Sequence, residues 1–287
     1  MRIANNVNAQ YVVDRLSWVR RGQEDTVEKL ASGLRINSSG DDAAGLSISE
    51  KMRAQIHGLQ MAEKNAMDGL SLIQTADGAM GEMHSILQRM RELTVQAGND
   101  TLTPADRENI SREVSRLIDE TTKIMNQTEF NTKKIFKGLD DEPITLQIGA
   151  DEGTTIDLFI KKSSLPRYAY FAIEAGGLVN GPPETDVAWD LSTSANAELF
   201  REAIDKAIAD VSTERAQLGA KENRLNHTLA NIRIAAENLT AAESRIRDAD
   251  LASEMMQFTK KKIIGQASTA MLAQANQAPQ GVLQLLR

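Results

Sequence analysis

The sequence predicts a mainly α protein: a long antiparallel helical bundle and coiled coil, with a small β-hairpin and a short loop-rich insertion. Three observations predict it. Between Asp42 and Thr103 there is no proline, and apolar residues from Ile48, Met52 and Ile56 to Met83, Leu87 and Met90 recur every three or four positions, the period of one helix face. Aromatic residues are only 4% of the 287, so Ala, Leu, Ile and Met must fill the core, as they do between close-packed helices. Both chain ends are amphipathic or apolar, where most chains fray into polar tails.

Each element follows in order. The first 35 residues carry Leu16, Val19, Val27, Leu30 and Leu34 at heptad-like spacing, the pattern of a coiled-coil strand. Asp41-Asp42 beside Gly40 are helix-start residues near the positive end of a helix dipole. A helix from about 44 to 98 would be about 80 Å long at 1.5 Å per residue, against about three turns for an average globular helix. Gly98-Asn99-Asp100 ends it, and Thr103-Pro104 restarts a helix with Thr as N-cap and Pro at the first helical position. Ile110, Val114, Leu117, Thr121, Ile124 and Thr128 form its stripe, and it should run antiparallel to the first. Ile144–Ile148 and Ile156–Ile160 alternate around Gly149, Asp151 and Gly153, which reads as a β-hairpin. Residues 163–195 hold Pro166, Pro182, Pro183 and Gly176-Gly177, and are too few for a core of their own. Helical spacing returns with Phe200, Ile204, Ile208 and Val211 and runs on through Leu218, Leu225, Leu229 and Ile232. Thr240-Ala-Ala-Glu243 has the form of a capping box and predicts a restart or joint before a last helix carrying Leu251, Met255 and Phe258. The chain closes on Val282, Leu283, Leu285 and Leu286.

Catalytic and cofactor chemistry finds no foothold. A net charge of −7 argues against nucleic acid, which demands basic patches. Without cysteine there is no disulfide, thiolate metal site or cysteine nucleophile. His57, His84 and His227 lie outside any metal-ligand spacing. Asp140-Asp141-Glu142 sits in an expected turn, Lys260-Lys261-Lys262 is a solvated helix face, and the 11 methionines fall mostly on helix stripes as core filler. No nucleotide-binding glycine loop occurs. The N-terminal residues lack the apolar run of a cleavable secretory signal, and no run approaches the roughly 18 apolar residues of a membrane span. The expectations are therefore no enzyme activity, no cofactor, no metal and no membrane insertion.

At the two ends the residues match something specific. The run from Lys29 to Met52, with Ser32-Gly33-Leu34-Arg35-Ile36-Asn37 and Gly40-Asp41-Asp42-Ala43-Ala44-Gly45-Leu46 inside it, closely resembles the N-terminal signature of bacterial flagellins. Glu237 to Asp250 and Gln266 to Arg287 resemble the C-terminal one. The similarity covers about residues 1–160 and 197–287. Departures are Ala4, where the family usually has Asn, and Trp18, Arg20, Arg21 and Gly22 in a stretch that is commonly small and polar. Gly22 should weaken its helix by about 1 kcal/mol relative to Ala.

The resemblance implies a structural subunit that polymerises into the flagellar filament for motility; the alternative sharing its architecture is a hook–filament junction protein. It implies residues 1–43 as an N-terminal inner filament segment and 44–162 as helical core with hairpin. Residues 163–195 become a short variable surface insertion, 196–240 the C-terminal core helix and 241–287 the C-terminal inner segment. It implies a secreted, extracellular product and several partners: copies of itself, the flagellar export apparatus with an export chaperone, the filament cap and the junction proteins. The expected subunit interface is Leu16, Val19, Val27, Leu30 and Leu34 with Leu251, Met255, Phe258, Val282, Leu283, Leu285 and Leu286. The stretch from Leu87 to Gln96 resembles the flagellin segment bound by Toll-like receptor 5. Arg89, Leu93 and Gln96 form a row off the core stripe there, with Glu113 on the neighbouring helix, and Leu93 is expected as an apolar surface residue awaiting a neighbouring subunit.

Overall fold

The computed structural model describes residues 6–136, 143–158, 160, 173–174, 177–178, 191 and 193–285. In chain order the elements are α1 (Val7–Ser32), α2 (Ala43–Ala97), α3 (Pro104–Gln127), β1 (Glu129–Phe130), β2 (Lys133–Lys134), β3 (Ile144–Gln147), β4 (Thr155–Leu158), β5 (Ile173–Glu174), β6 (Gly177–Leu178), α4 (Ser194–Arg247) and α5 (Leu251–Leu285). The strands pair as three two-stranded antiparallel ladders, β1 with β2, β3 with β4 and β5 with β6. The chain divides into two compact units, residues 58–235 and residues 1–57 with 236–287.

In the 58–235 unit, α2 and α4 run antiparallel. The ion pairs Glu63–Arg233 at 2.7 Å, Asp77–Arg215 at 2.8 Å and Arg91–Asp205 at 2.6 Å rise along one helix as they fall along the other. The α3 helix begins as expected. Thr103 and Asp106 cap each other, with the Thr103 hydroxyl accepting from the Asp106 amide and the Asp106 carboxylate accepting from the Thr103 amide and hydroxyl, which satisfies donors a helix start leaves unpaired. Those bonds hold the Asp106 carboxyl below its ordinary pKa, the Thr103 hydroxyl being the larger cause. The α3 helix folds back along α2, and Arg89 meets Glu113 across the pair at 3.0 Å. Its buried stripe is Ile110, Val114, Ile118, Thr121 and Met125, so Ile118 and Met125 replace the expected Leu117 and Ile124, which are only partly buried. One core joins Met80, Met83, Met90, Val114, Val211 and Leu225 with the hairpin's Ile156 and Leu158.

The hairpin forms where alternation predicted it, with Ile144 opposite Leu158 and Leu146 opposite Ile156. Its turn uses Gly153 at φ +87°, a backbone conformation that side chains disfavour. It seats on α2 at two glycines. A Cβ on Gly58 would come within 2.7 Å of the Ala150 Cβ, one on Gly69 would overlap Leu146, and between them the Asn65 amide donates to the Gln147 carbonyl at 3.0 Å. A second, shorter hairpin escaped the sequence reading: β1 and β2 turn through Asn131 and Thr132, both at positive φ, the two-residue geometry that suits a right-handed strand twist.

The joint expected at 240–243 is absent, because α4 runs unbroken to Arg247. The Thr240 hydroxyl donates back to the Ala236 carbonyl at 2.8 Å, a bond made inside a helix rather than at its start. Helical spacing resumes at Ser194, slightly earlier than predicted. Asp140, Asp141 and Glu142 lie outside the described residues, as does most of 163–195.

The other unit brings the chain ends together. Gly33, at φ +71°, closes α1, as a left-handed residue after a helix does. Asp42 caps α2 by accepting from the Gly45 amide at 2.9 Å. The segments following α1 and α4 then pair as a short antiparallel bridge: the Arg35 amide donates to the Arg247 carbonyl at 2.6 Å, and the Ala249 amide to the Gly33 carbonyl at 2.9 Å. Arg247 also reaches Glu50 at 2.6 Å. Asp41 accepts from the Asn37 and Ser38 amides, each at 3.0 Å. Those amide bonds, Ser38 first, hold its carboxyl below the ordinary carboxylate pKa.

Candidate assembly interface

The α1 and α5 helices pack against each other, and their contacts run antiparallel. The Asn6 side-chain amide donates to the Ala275 carbonyl at 2.8 Å, and the Lys261 ammonium to the Gly22 carbonyl at 2.8 Å. On α5 the more covered positions after Phe258 are Lys261, Gly265, Ser268, Leu272 and Ala275, a three–four repeat of the coiled-coil kind. On α1 the fully buried ones are Leu16, Val19 and Thr26. The seam between the chain's own ends is thus narrow and, on α5, mostly small or polar.

The large apolar side chains point elsewhere. Leu251, Met255, Met256, Ile263, Ile264 and Met271 on α5 are exposed, Met256 at 69%. On α1 Val7, Tyr11, Val13, Trp18 and Val27 are exposed, Tyr11 at 73%. The Arg15 guanidinium stands 4.4 Å from the ring centre of Trp18. So many exposed apolar side chains on one helix pair mark an association surface.

The expected interface residues therefore divide. Leu16 and Val19 are buried, facing the chain's own α5, Phe258 is half-buried in the same seam, and Leu30 and Leu34 are half-buried. Val27, Leu251 and Met255 stay exposed. Val282, Leu283 and Leu285 lie on the helical backbone of α5, their side chains outside the described residues with Leu286. Sequence reasoning passed over Tyr11, Met256 and Ile263 as surface candidates. The available signal was that α5 carries more large apolar residues than one seam can hold.

The Arg89 row holds only in part. Arg89 is exposed and bonds Glu92 at 3.1 Å and Glu113 at 3.0 Å. These bonds, Glu113 first, raise its pKa further. Gln96 is exposed. Leu93 is not a surface residue, being 2% exposed and part of the same core as Met83, Leu87 and Met90. Arg89 faces α3 through Glu113 and Arg91 faces α4 through Asp205, so the covered face of α2 spans about 200° at about 100° per residue. Leu93 falls about 40° inside the Arg89 edge. The sequence reading allowed for one narrow stripe, and the second flanking helix widened it.

Among the described residues no group of three or more His, Asp or Glu side chains is placed to hold a metal ion. No described helix is long and apolar enough to cross a membrane.

Comparison with known proteins accounts for this arrangement. Residues 3–141 match the bacterial flagellin N-terminal helical region and residues 202–286 the bacterial flagellin C-terminal helical region. A flagellin of Bacillus subtilis is 49% identical, with all of both chains covered. A flagellin of Halalkalibacterium halodurans is 51% identical over 94% of this chain and 93% of its own. A solved chain from Vibrio parahaemolyticus assigned as flagellar hook-associated aligns at a TM-score of 0.57 over 73% of this chain and all of its own, at 14% identity, a likeness of fold alone. With full-length identity near one half and both terminal regions matched, the chain belongs to the bacterial flagellins and is a structural subunit that polymerises into the flagellar filament.

Proposed function

We propose that the outward faces of α1 and α5 are the surfaces that neighbouring subunits cover in the filament. The observation that carries this is the inversion on α5, whose seam side holds Gly265, Ser268 and Ala275 while Met256, Ile263 and Met271 face solvent. Burying one such side chain contributes about 1.5–3 kcal/mol, so a handful repeated at every contact suffices for a stable polymer. In the unassembled subunit two helices sharing one narrow seam are marginal in water. Limited proteolysis and hydrogen exchange, run on monomer and on sedimented filament, test this. Residues 7–32 and 251–285 should be cut and exchange freely in the monomer and be protected in the filament. Equal protection in both states would refute the proposal.

Membership in the family supports the finer partner readings. The chain acts as a structural protein without catalysis, leaves the cell through the flagellar export apparatus, and works outside it. An export chaperone covers the apolar end around Val282, Leu283, Leu285 and Leu286, and the filament cap and junction proteins bound the polymer. For Toll-like receptor 5 the candidate surface is Arg89 with Glu113 and Gln96. Leu93 contributes by holding α2 in place, as its burial implies. Arg89→Ala should lower receptor signalling by monomer with stability nearly unchanged, since solvent screens an exposed ion pair. Full signalling by that variant would remove Arg89 from the surface.

A further inference from the structure

The Lys261 ammonium lies in the seam of the terminal coiled coil. It donates to the Gly22 carbonyl at 2.8 Å and to the Thr26 hydroxyl at 3.3 Å, and that hydroxyl donates to the same carbonyl at 2.7 Å. Gly22 leaves room for this. A Cβ there would stand 3.5 Å from the lysine Cε and Nζ, ordinary contact for a methyl and too little space for anything longer. Gly22 is thus the α1 position that faces the Lys261 side chain.

From this geometry we infer that Lys261 helps set the register in which α1 and α5 pair, and so which apolar faces reach the neighbouring subunits. A heptad coil can slip by seven residues and still match seam to seam. In one slip Arg15 and Val19 take the places of Gly22 and Thr26; in the other Lys29 and Gly33 do. Either way a cation replaces Gly22 opposite the Lys261 ammonium, and the hydroxyl acceptor is lost. Only the observed register sets the ammonium against the Thr26 hydroxyl and a residue without a side chain, in place of a like charge. Gly265, Ser268 and Ala275 are small and fit against most neighbours, so at mid-seam Lys261 adds to the register preference that the Asn6–Ala275 bond and the bridge after α1 set at the two ends. A lone lysine or asparagine at a seam position is a known way to specify register at some cost in stability.

The absence of cysteine from the chain makes disulfide trapping a clean test. The Gly265 Cβ position is 3.8 Å from Val19, so Val19→Cys with Gly265→Cys reports the observed register. Val12→Cys with Gly265→Cys reports a seven-residue slip. Both pairs are placed in the full-length chain, and intramolecular closure under mild oxidation is read in the soluble and the pelleted fractions. With Lys261 intact the Val19 pair should close in preference by about tenfold, the scale of one charge-assisted hydrogen bond. Lys261→Met should bring the two pairs to comparable yields, and Lys261→Gln, which keeps a donor, should restore much of the preference. Undiminished preference in Lys261→Met, or equal loss in Met and Gln variants, would overturn the inference. Because closure is read in the soluble fraction as well, a failure of filament formation would count separately, against the assembly surface.

Discussion

Methionines on the packed face of α2 and on α5 contrast the two units, although Met61 and Met67 in the first are exposed as well. In residues 58–235, Met80 and Met83 are 0% exposed, while in the terminal unit Met255 and Met271 are 51% and 61% exposed. The residue is equally apolar in both places, so side-chain chemistry did not sort them. The number of neighbours did. In the first unit α2 lies between α3 and α4 with a hairpin seated on it, so more than half its circumference is covered. In the terminal unit α1 and α5 have each other, and a helix pair covers one stripe per partner. The α5 helix is no less hydrophobic than α2. On the assembly reading, the remaining partners of α1 and α5 belong to other copies of the chain.

The contrast should break most readily under charge. Ile263→Glu adds a carboxylate at a position exposed in the single chain and, on the assembly reading, buried in the filament. Monomer helicity should be unchanged, while the critical concentration for polymerisation rises by roughly tenfold or more, since burying an unpaired charge costs several kcal/mol. Unaltered assembly in sedimentation would place Ile263 on a free surface. In the other unit the expected effect is on folding. Leu93→Ala removes a side chain from the closed core and should cost about 2–5 kcal/mol, the range for such truncations, read as a lowered denaturation midpoint of the monomer. A loss below half a kcal/mol would return Leu93 to the surface.

A smaller effect sharpens the contrast at the turn before α2. Asp41 has its pKa lowered by the Ser38 and Asn37 amides, so its carboxylate form stabilises the turn above the unfolded value near 3.8. That contribution disappears as pH falls through the lower folded value. Asp41→Ala should therefore be less stable than the parent at neutral pH, and the gap should narrow below about pH 4. A gap independent of pH would mean that Asp41 acts through packing alone.

Much of this was legible in the residues. The break at Gly98, the Thr103-Pro104 start, the Asp42 cap and the Ile144–Ile160 hairpin each depend on chemistry within a few positions, and local chemistry is what a sequence displays. The errors have separate causes. Thr240-Ala-Ala-Glu243 has the form of a helix start, but residues on either side continue the helix and the Thr240 hydroxyl turns back to Ala236. Leu93 looked like surface because it lies off the narrow stripe, yet a second flanking helix covers it. The Asn131-Thr132 turn was too short to show alternation on either side.

The sequence by itself determined the helices, their caps and the family, because periodicity, capping residues and the terminal signatures are properties of consecutive positions. Tertiary structure decided how wide the covered face of α2 is and which side of α5 is inside. On α5 the apolar residues exceed one face, and only the placement of α1 shows that Phe258, Gly265 and Leu272 look inward while Met256 and Ile263 look out. It alone brought Lys261 to Gly22 across 239 residues of chain. The reason is that burial depends on what a side chain meets, and for contacts between distant segments that is set by packing, not by neighbours along the chain.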